Sequence, residues 1–403
     1  MGASKDAVNT NAVDTMPMAS TDAILSTLCD GGYSVRLHGF SAIDKYLGLP
    51  ALPFLWVQTN ADITVLARLI ENLRFPGVEI ADAVADTLAG SCYFRCMDSD
   101  EQETAVSLPL LSFSYDWQTR RFQDPLDMYP LLKQLKTGSS NVDKYPPEYT
   151  AAYATPRTLL ETALVAARYD LPSAPVLSAP VLSASLPPEL QRVFLSSLLV
   201  SHWPDRGLEL LKRSRLLEAL WPELASFEEV DHSKEYHPEG NGWNHTLETF
   251  RHRKPVRNGG AFDLRLSLGL LLHDAGKPIS ASSGNHRFEG HAELGAKAAV
   301  RFLERLQFDP ALIRDIFFLV RNHMLPAALK RLPLTKTAEI MASPLFPTLM
   351  ELYRCDESSS FKGLDGFYEN SAAYQAYLKN SKNPYRHADG KKIGKPQKRR
   401  QLP

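Results

Sequence analysis

Apolar and polar positions along the chain change their rhythm once, near residue 156. Between Thr21 and about Leu135, a short helical stretch precedes apolar runs such as PFLWVQT (53–59), SCYFRCM (91–97) and SLPLLSFSYDW (107–117), separated by turn signals. Short runs rich in aromatic and β-branched residues predict strands. From Pro156 the spacing turns helical. PRTLLETALVAARYDL, LQRVFLSSLLVSHW and RGLELLKRSRLLEALWPEL place apolar residues at i, i+3 and i+4. The pattern predicts an α+β chain: a small mixed α/β head followed by an all-α body.

Residues 1–20 are polar and aperiodic and read as a disordered N-terminus, with the head over 21–136. KTGSSNVDKYPPEY reads as a linker, residues 150–228 as a helical neck and body, 229–370 as a second helical domain, and 371–403 as a basic tail. A duplicated SAPVL (173–177 and 178–182) reads as a proline-rich loop, because two five-residue copies are too short for a solenoid.

Composition narrows the classes. With 403 residues and 44% hydrophobic positions the chain can bury cores for two or three domains. A net charge of -1 excludes a globally basic nucleic-acid coat, so nucleic-acid contact needs a local patch such as KKIGKPQKRR. Cys29, Cys92, Cys96 and Cys355 form no CxxC pair and read as reduced thiols. The start shows no basic stretch leading into an apolar one, and Asp6 stands where a myristoylation signal wants Ser or Thr. With no run near the ~20 apolar residues of a bilayer span, the expectation is a soluble cytoplasmic protein.

The sharpest chemistry lies in the third quarter. His245 sits in WNHTL, His273 and Asp274 end the apolar run of LGLLLHDAGKP, His291 lies in FEGHAELGAKAA, His323 in FLVRNHM and Asp356 in LYRCDESS. Imidazole and carboxylate are the ligand set of divalent Zn, Mn, Fe, Co, Ni and Mg. Adjacent helical residues point about 100° apart, so His273 and Asp274 reach one site only near a helix end. Six such donors suit a two-metal centre with ions roughly 3.5–4 Å apart, built for in-line attack of an activated water on a phosphoester. Lys277 is placed to touch the phosphate as a point charge.

The segment from His245 to Asp356 resembles the HD-domain phosphohydrolase superfamily. EYHPEGNGWNHTLE, LLHDAGKP and FEGHAELGAK most resemble the HD domain of bacterial CCA-adding tRNA nucleotidyltransferases and poly(A) polymerases. The resemblance implies a metal-dependent phosphatase or phosphodiesterase with metal ligands at His245, His273, Asp274, His291, His323 and Asp356. It also implies a nucleotidyltransferase-like head, which departs from the family pattern. Gly31-Gly32 matches the glycine turn, and Val35 and Arg36 follow, but Leu37 stands where the pattern has Asp. Phe54 and Trp56 occupy the places of the Asp-x-Asp pair and Ser107 that of a third carboxylate, while Asp116, Asp124-Pro125 and the Pro156–Arg157 helix still match. Phenylalanine and tryptophan cannot hold Mg²⁺.

The leading expectation is an HD phosphohydrolase using two divalent ions on a phosphomonoester or 2′,3′-cyclic phosphodiester of a nucleotide or tRNA-like RNA end, beneath an inactive head. An active nucleotidyltransferase and a non-catalytic RNA-binding protein are the alternatives.

Overall fold

The computed structural model describes residues 20–76, 81–87, 90–97, 108–137, 155–171, 186–230, 240–256, 261–282, 288–360, 363–383 and 385–392. Ser107, His232, His237, His286, the duplicated SAPVL and the cations from Lys395 on lie outside them. The described residues form a mixed α+β chain of two compact units.

The first unit comprises Met1–Ala42, Pro53–Thr104 and Ser114–Gln123. Its seven strands are β1 (Val35–His38), β2 (Phe54–Thr59), β3 (Leu73–Arg74), β4 (Ala83–Thr87), β5 (Gly90–Cys96), β6 (Ser114–Asp116) and β7 (Arg121–Gln123). They pair in the order β3-β4-β5-β2-β1-β6-β7, and only the β2–β5 pair is parallel. Helices α1 (Thr21–Asp30) and α3 (Ile63–Leu69) belong to this unit, and α2 (Phe40–Leu47) begins in it. The run SLPLLSFSYDW is a strand only from Ser114, because Pro109, which has no N–H for a ladder, opens a tight 3₁₀ turn over Pro109–Ser112.

The second unit takes Ile43–Leu52, Ala105–Phe113 and everything from Asp124. Two of these stretches fall within 21–136 and the third begins there, and a buried ion pair helps to draw the first in: Arg168 Nε lies 2.7 Å from Asp44 Oδ1. The helices are α4 (Tyr129–Thr137), α5 (Pro156–Arg168), α6 (Pro188–Val200), α7 (Pro204–Arg213), α8 (Leu216–Leu220), α9 (Pro222–Ala225), α10 (Gly242–Arg251) and α11 (Leu264–Leu272). Then follow α12 (Lys277–Ser282), α13 (His291–Arg305), α14 (Pro310–Asn322), α15 (Leu334–Met341), α16 (Phe346–Ser358) and α17 (Asp365–Ser381). The long amphipathic run from Arg206 is three helices, since Arg215 takes a left-handed turn at φ 62° and Pro222 restarts the chain. Helix α17 runs on past position 370, where Tyr374 packs on Phe346 with ring centroids 4.5 Å apart.

The core of this unit is organised around α11. From Leu266 to Leu272 its sequence is buried and apolar but for Ser267, which fits a helix enclosed by neighbours, while Arg265 at its start is exposed. It packs against α6, α10, α13, α14 and α16. Each fully buried leucine of the helix is worth roughly 1.5–3 kcal/mol. Asp263 caps its start by accepting from Arg265 N.

Among the described residues no helix is long and apolar enough to cross a membrane.

Candidate metal centre

The end of α11 opens the site. The helix stops at Leu272, with His273 as its C-cap, so His273 and Asp274 stand at the helix end that the sequence requires of them. Gly276, two residues on, lies backbone to backbone against α13: a Cβ on Gly276 would stand 1.9 Å from His291 O and 2.6 Å from Gly295 N. The glycines of HDAGK and GHAELG are thus in mutual contact, and that contact sets His291 beside Asp274. His323 caps α14, His245 projects from the first turns of α10, and Asp356 comes from the last turn of α16.

Five segments spread over more than a hundred positions bring six donors together. His245, His273 and Asp356 each offer one atom within 4.8 Å of the others, and so do Asp274, His291 and His323. Asp274 divides its carboxylate between the groups. Its Oδ2 lies 3.2 Å from His273 Nε2 and 3.9 Å from His245 Nε2, while its Oδ1 lies 3.6 Å from His291 Nε2 and 3.9 Å from His323 Nε2. Asp356 Oδ1 approaches His245 Nε2 at 3.0 Å and His273 Nε2 at 3.9 Å. Donors bonded at about 2.0–2.2 Å to one ion would lie roughly 3–3.6 Å apart, so these spacings fit two shared cations.

The hydrogen bonds behind the rings strengthen that fit. His273 Nδ1 is 2.8 Å from Leu270 O, His291 Nδ1 is 2.8 Å from Phe288 O and His323 Nδ1 is 2.7 Å from Val320 O. A carbonyl only accepts, so each Nδ1 carries the proton and each Nε2 presents a lone pair. His245 Nδ1 faces Ser359 Oγ at 3.2 Å, and that hydroxyl already donates to Asp356 O at 2.6 Å, so it too receives a proton from the ring. His245 and His273 Nε2 then stand 3.3 Å apart, and His291 and His323 Nε2 3.1 Å apart. Lone pairs facing at that distance call for a cation between them.

Electrostatics keep the donors in their ligating forms. Burial would raise the Asp274 carboxyl, but His273, Lys277 and His245 hold it well below the usual carboxylate range. Asp356 is likewise held low, burial being outweighed by the neighbouring His245 and His273. Burial, with His273 nearby, pushes His323 down to about 4, and burial lowers His291 as well. These imidazoles are neutral at physiological pH.

Lys277 Nζ lies 2.6 Å from Asp274 Oδ2. The centre opens into a cavity of about 600 Å³ whose wall adds Phe288, Met324, Lys330, Arg331, Tyr353, Glu357 and Glu369. Lys330 and Arg331 carry no local motif and were not legible in the sequence. Nor was Phe288, a bulky residue held at φ 53° with its carbonyl on His291, or Ser359 behind His245. In the first unit, Gly31-Gly32 ends α1, with Gly32 at φ 83°, and Asp62 caps α3 by accepting from Val65 N. Phe54 and Trp56 meet within β2 with centroids 5.0 Å apart and ring planes tilted by 59°. Among the described residues, donor groups spaced to share an ion occur at the two places in the helical unit alone.

The HD domain family profile matches residues 242–343, which include five of the six donors, while Asp356 lies beyond it. The CC-adding tRNA nucleotidyltransferase of Thermus thermophilus is 32% identical over 193 residues, 46% of this chain and 43% of its own. The multifunctional CCA protein of Halorhodospira halophila is 34% identical over 141 residues, 35% of this chain and 33% of its own. The chain thus spans less than half the length of these curated relatives. The solved CCA-adding enzyme of Bacillus stearothermophilus in complex with CTP aligns over 89% of this chain and 81% of its own, at 12% identity and a TM-score of 0.49. Residues 242–343 thus match the HD domain family, in a chain similar over part of its length to a CC-adding tRNA nucleotidyltransferase and to multifunctional CCA proteins.

Proposed function

We propose that the helical unit is a metal-dependent phosphohydrolase acting on a phosphomonoester or a 2′,3′-cyclic phosphodiester of a nucleotide or RNA end. The observation that carries this reading is the convergence of four Nε2 lone pairs on a carboxylate whose two oxygens face different histidine pairs. His245, His273 and Asp356 would hold one divalent ion, His291 and His323 a second, with Asp274 reaching both. Bound in this way, divalent ions supply Lewis acidity toward phosphoryl oxygens and make water more acidic. The chain's own residues do the rest. Backbone carbonyls and Ser359 hold the rings in the ligating tautomer, and Lys277 offers its charge to the phosphate. Arg331 gives the cavity wall positive charge for a flanking phosphate, while Lys330 beside it is paired with Glu369 at 2.9 Å. The four free thiols suit the reducing cytoplasm.

The test is a phosphoesterase screen of the full chain with aryl phosphates and 2′,3′-cyclic nucleotides across Mn²⁺, Co²⁺, Ni²⁺, Mg²⁺ and Zn²⁺. Hydrolysis that disappears in His273→Ala and Asp274→Ala supports the proposal. A wild-type protein that binds none of these ions and hydrolyses nothing overturns it.

The names of the relatives favour a second reading, in which the head transfers nucleotides to tRNA. Against it stand Phe54, 1% exposed, and Trp56, which fill β2 where acceptors for Mg²⁺ would be needed. Incubation with ATP, CTP, Mg²⁺ and tRNA lacking its 3′ end decides the point: nucleotide addition would refute the inactive head.

A further inference from the structure

We propose that Phe288 is a specificity-determining residue whose ring gives the cavity a stacking face for the base of a nucleotide substrate, so that the site prefers nucleoside phosphates to the same esters without a base. This rests on the phosphohydrolase reading above and names what that site selects. The first observation is a backbone angle. Six non-glycine residues among those described have positive φ, and five of them, Asn72, Arg120, Asp127, Arg215 and Gln307, are exposed and polar or charged. Phe288, at φ 53°, is the exception: a half-buried aromatic residue in a conformation that a bulky side chain adopts only against steric cost. Strain of this kind gathers at ligand sites, where the surrounding structure holds it in place.

Two roles separate at this position. The Phe288 carbonyl accepts from His291 N at 3.1 Å and from His291 Nδ1 at 2.8 Å, a backbone service that any residue supplies. The ring is not needed for that, and it lines the cavity. Its centroid lies 5.9 Å from Lys277 Nζ, which itself lies 2.6 Å from Asp274 Oδ2. A phosphate held at the centre and touched by Lys277 thus leaves its nucleoside, with the base one sugar away, beside an aromatic face. Met324, next in the chain to His323 and 53% exposed, adds a second apolar side chain to the same wall. An aromatic face and an adaptable thioether take any base, because neither reads hydrogen bonds. The cavity, about 600 Å³, is of the size that encloses a small ligand.

The test runs the full chain in Mn²⁺ with adenosine 2′,3′-cyclic phosphate and adenosine 3′-monophosphate, each against a counterpart in which a methoxy group replaces the base. Wild type is expected to favour the nucleotide in kcat/KM by about 10–100-fold, the yield of one base–aromatic stack. Phe288→Asn removes the ring, keeps the carbonyl and suits the backbone angle. Its unfolding temperature is expected to hold or rise while the nucleotide preference falls toward one, and Phe288→Trp is expected to keep the preference. A ring that serves only packing or the placement of Lys277 would lower the rates on both kinds of ester together and leave their ratio, which overturns the inference. A wild type that hydrolyses both kinds equally overturns it too, with the phosphohydrolase reading intact. A wild type that hydrolyses none of the four tells against that reading instead. Calorimetry with adenosine 3′-monophosphate and its counterpart then decides the inference without turnover: tighter binding of the nucleotide that is lost in Phe288→Asn supports it, and equal or absent binding overturns it.

Discussion

The contact between Gly276 and Gly295 is the most exposed point of the design, and Gly276→Ala tests it. A Cβ at this position would sit 1.9 Å from His291 O and 2.6 Å from Gly295 N, both backbone atoms that cannot rotate away. To restore a 3.0 Å separation, α12 and α13 must part by about 1.1 Å. The separation of His291 Nε2 from Asp274 Oδ1, now 3.6 Å, opens by a similar amount and leaves the range two ligands of one ion can span. Overpacking of this kind costs about 1–3 kcal/mol of stability. A misplacement near 1 Å in a catalytic group costs on the order of 100-fold in rate. Gly276→Ala is therefore expected to fold with a lowered unfolding temperature, to lose the ion shared by Asp274, His291 and His323, and to lose hydrolysis by about two orders of magnitude. Gly32→Ala is the control. Its φ of +83° makes alanine cost about 1 kcal/mol in the head, but no atom lies within 4 Å of the new Cβ and the centre is untouched. Metal content by mass spectrometry, calorimetric unfolding and phosphoesterase rate read the outcome. Wild-type metal content and rate in Gly276→Ala would refute the glycine contact as the device that sets the two helices.

The metal-free protein should weaken in mild acid. Unfolded imidazoles titrate near about 6.5, whereas His323 in the fold is pushed down to about 4 and His291 is also lowered. Between those values the unfolded chain binds more protons, so stability is full above about 6.5 and is lost as pH falls toward about 4. Denaturation midpoints of chelated protein at several pH values check this, and His323→Asn should flatten the slope. Lys277→Gln should keep both ions yet slow hydrolysis, since the ammonium neighbours Asp274 without being a ligand; loss of the ions in that variant would make Lys277 structural.

Local features were legible in the sequence and distant ones were not. The apolar helix ending in His273-Asp274 could be read directly, because a run of leucines followed by HDAGK states both burial and the break. The strands of PFLWVQT and SCYFRCM were equally plain as short runs rich in aromatic and β-branched residues. Four things had no local signature. The left-handed turn at Arg215 divides a run whose period looks continuous, because one backbone angle leaves no mark on hydrophobic spacing. The glycines at 276 and 295 are separately unremarkable, and their meaning appears only when two helices touch. Ser359 acts on a ring 114 positions away, and the cations Lys330 and Arg331 reach the cavity through helix packing. The spacing also gave no hint that residues 43–52 cluster with the helices, since the contacts that join them, Arg168 on Asp44 and Tyr46 on Phe113 and Tyr129, form only in the fold.

That pair supplies the last prediction. Asp44 and Arg168 are 4% and 8% exposed, Arg168 Nε lies 2.7 Å from Asp44 Oδ1, and Tyr169 OH donates to the same oxygen at 3.0 Å. Arg168 also donates to the Pro50 carbonyl. Burial raises the Asp44 carboxyl above its ordinary value even with the guanidinium beside it, so the pair does not fully offset the loss of water. Two consequences follow, and they differ in sign. Arg168→Met leaves a buried carboxylate facing only a tyrosine hydroxyl, which should cost about 3–5 kcal/mol at neutral pH. Asp44 then protonates more readily, so this variant should recover stability as pH falls through its raised carboxyl titration. Asp44→Asn combined with Arg168→Met removes both charges and should cost less than Arg168→Met alone, which urea midpoints can measure. Additive costs in that double-mutant cycle would mean that the two groups do not sense each other, and that residues 43–52 are held against α5 by packing rather than by charge.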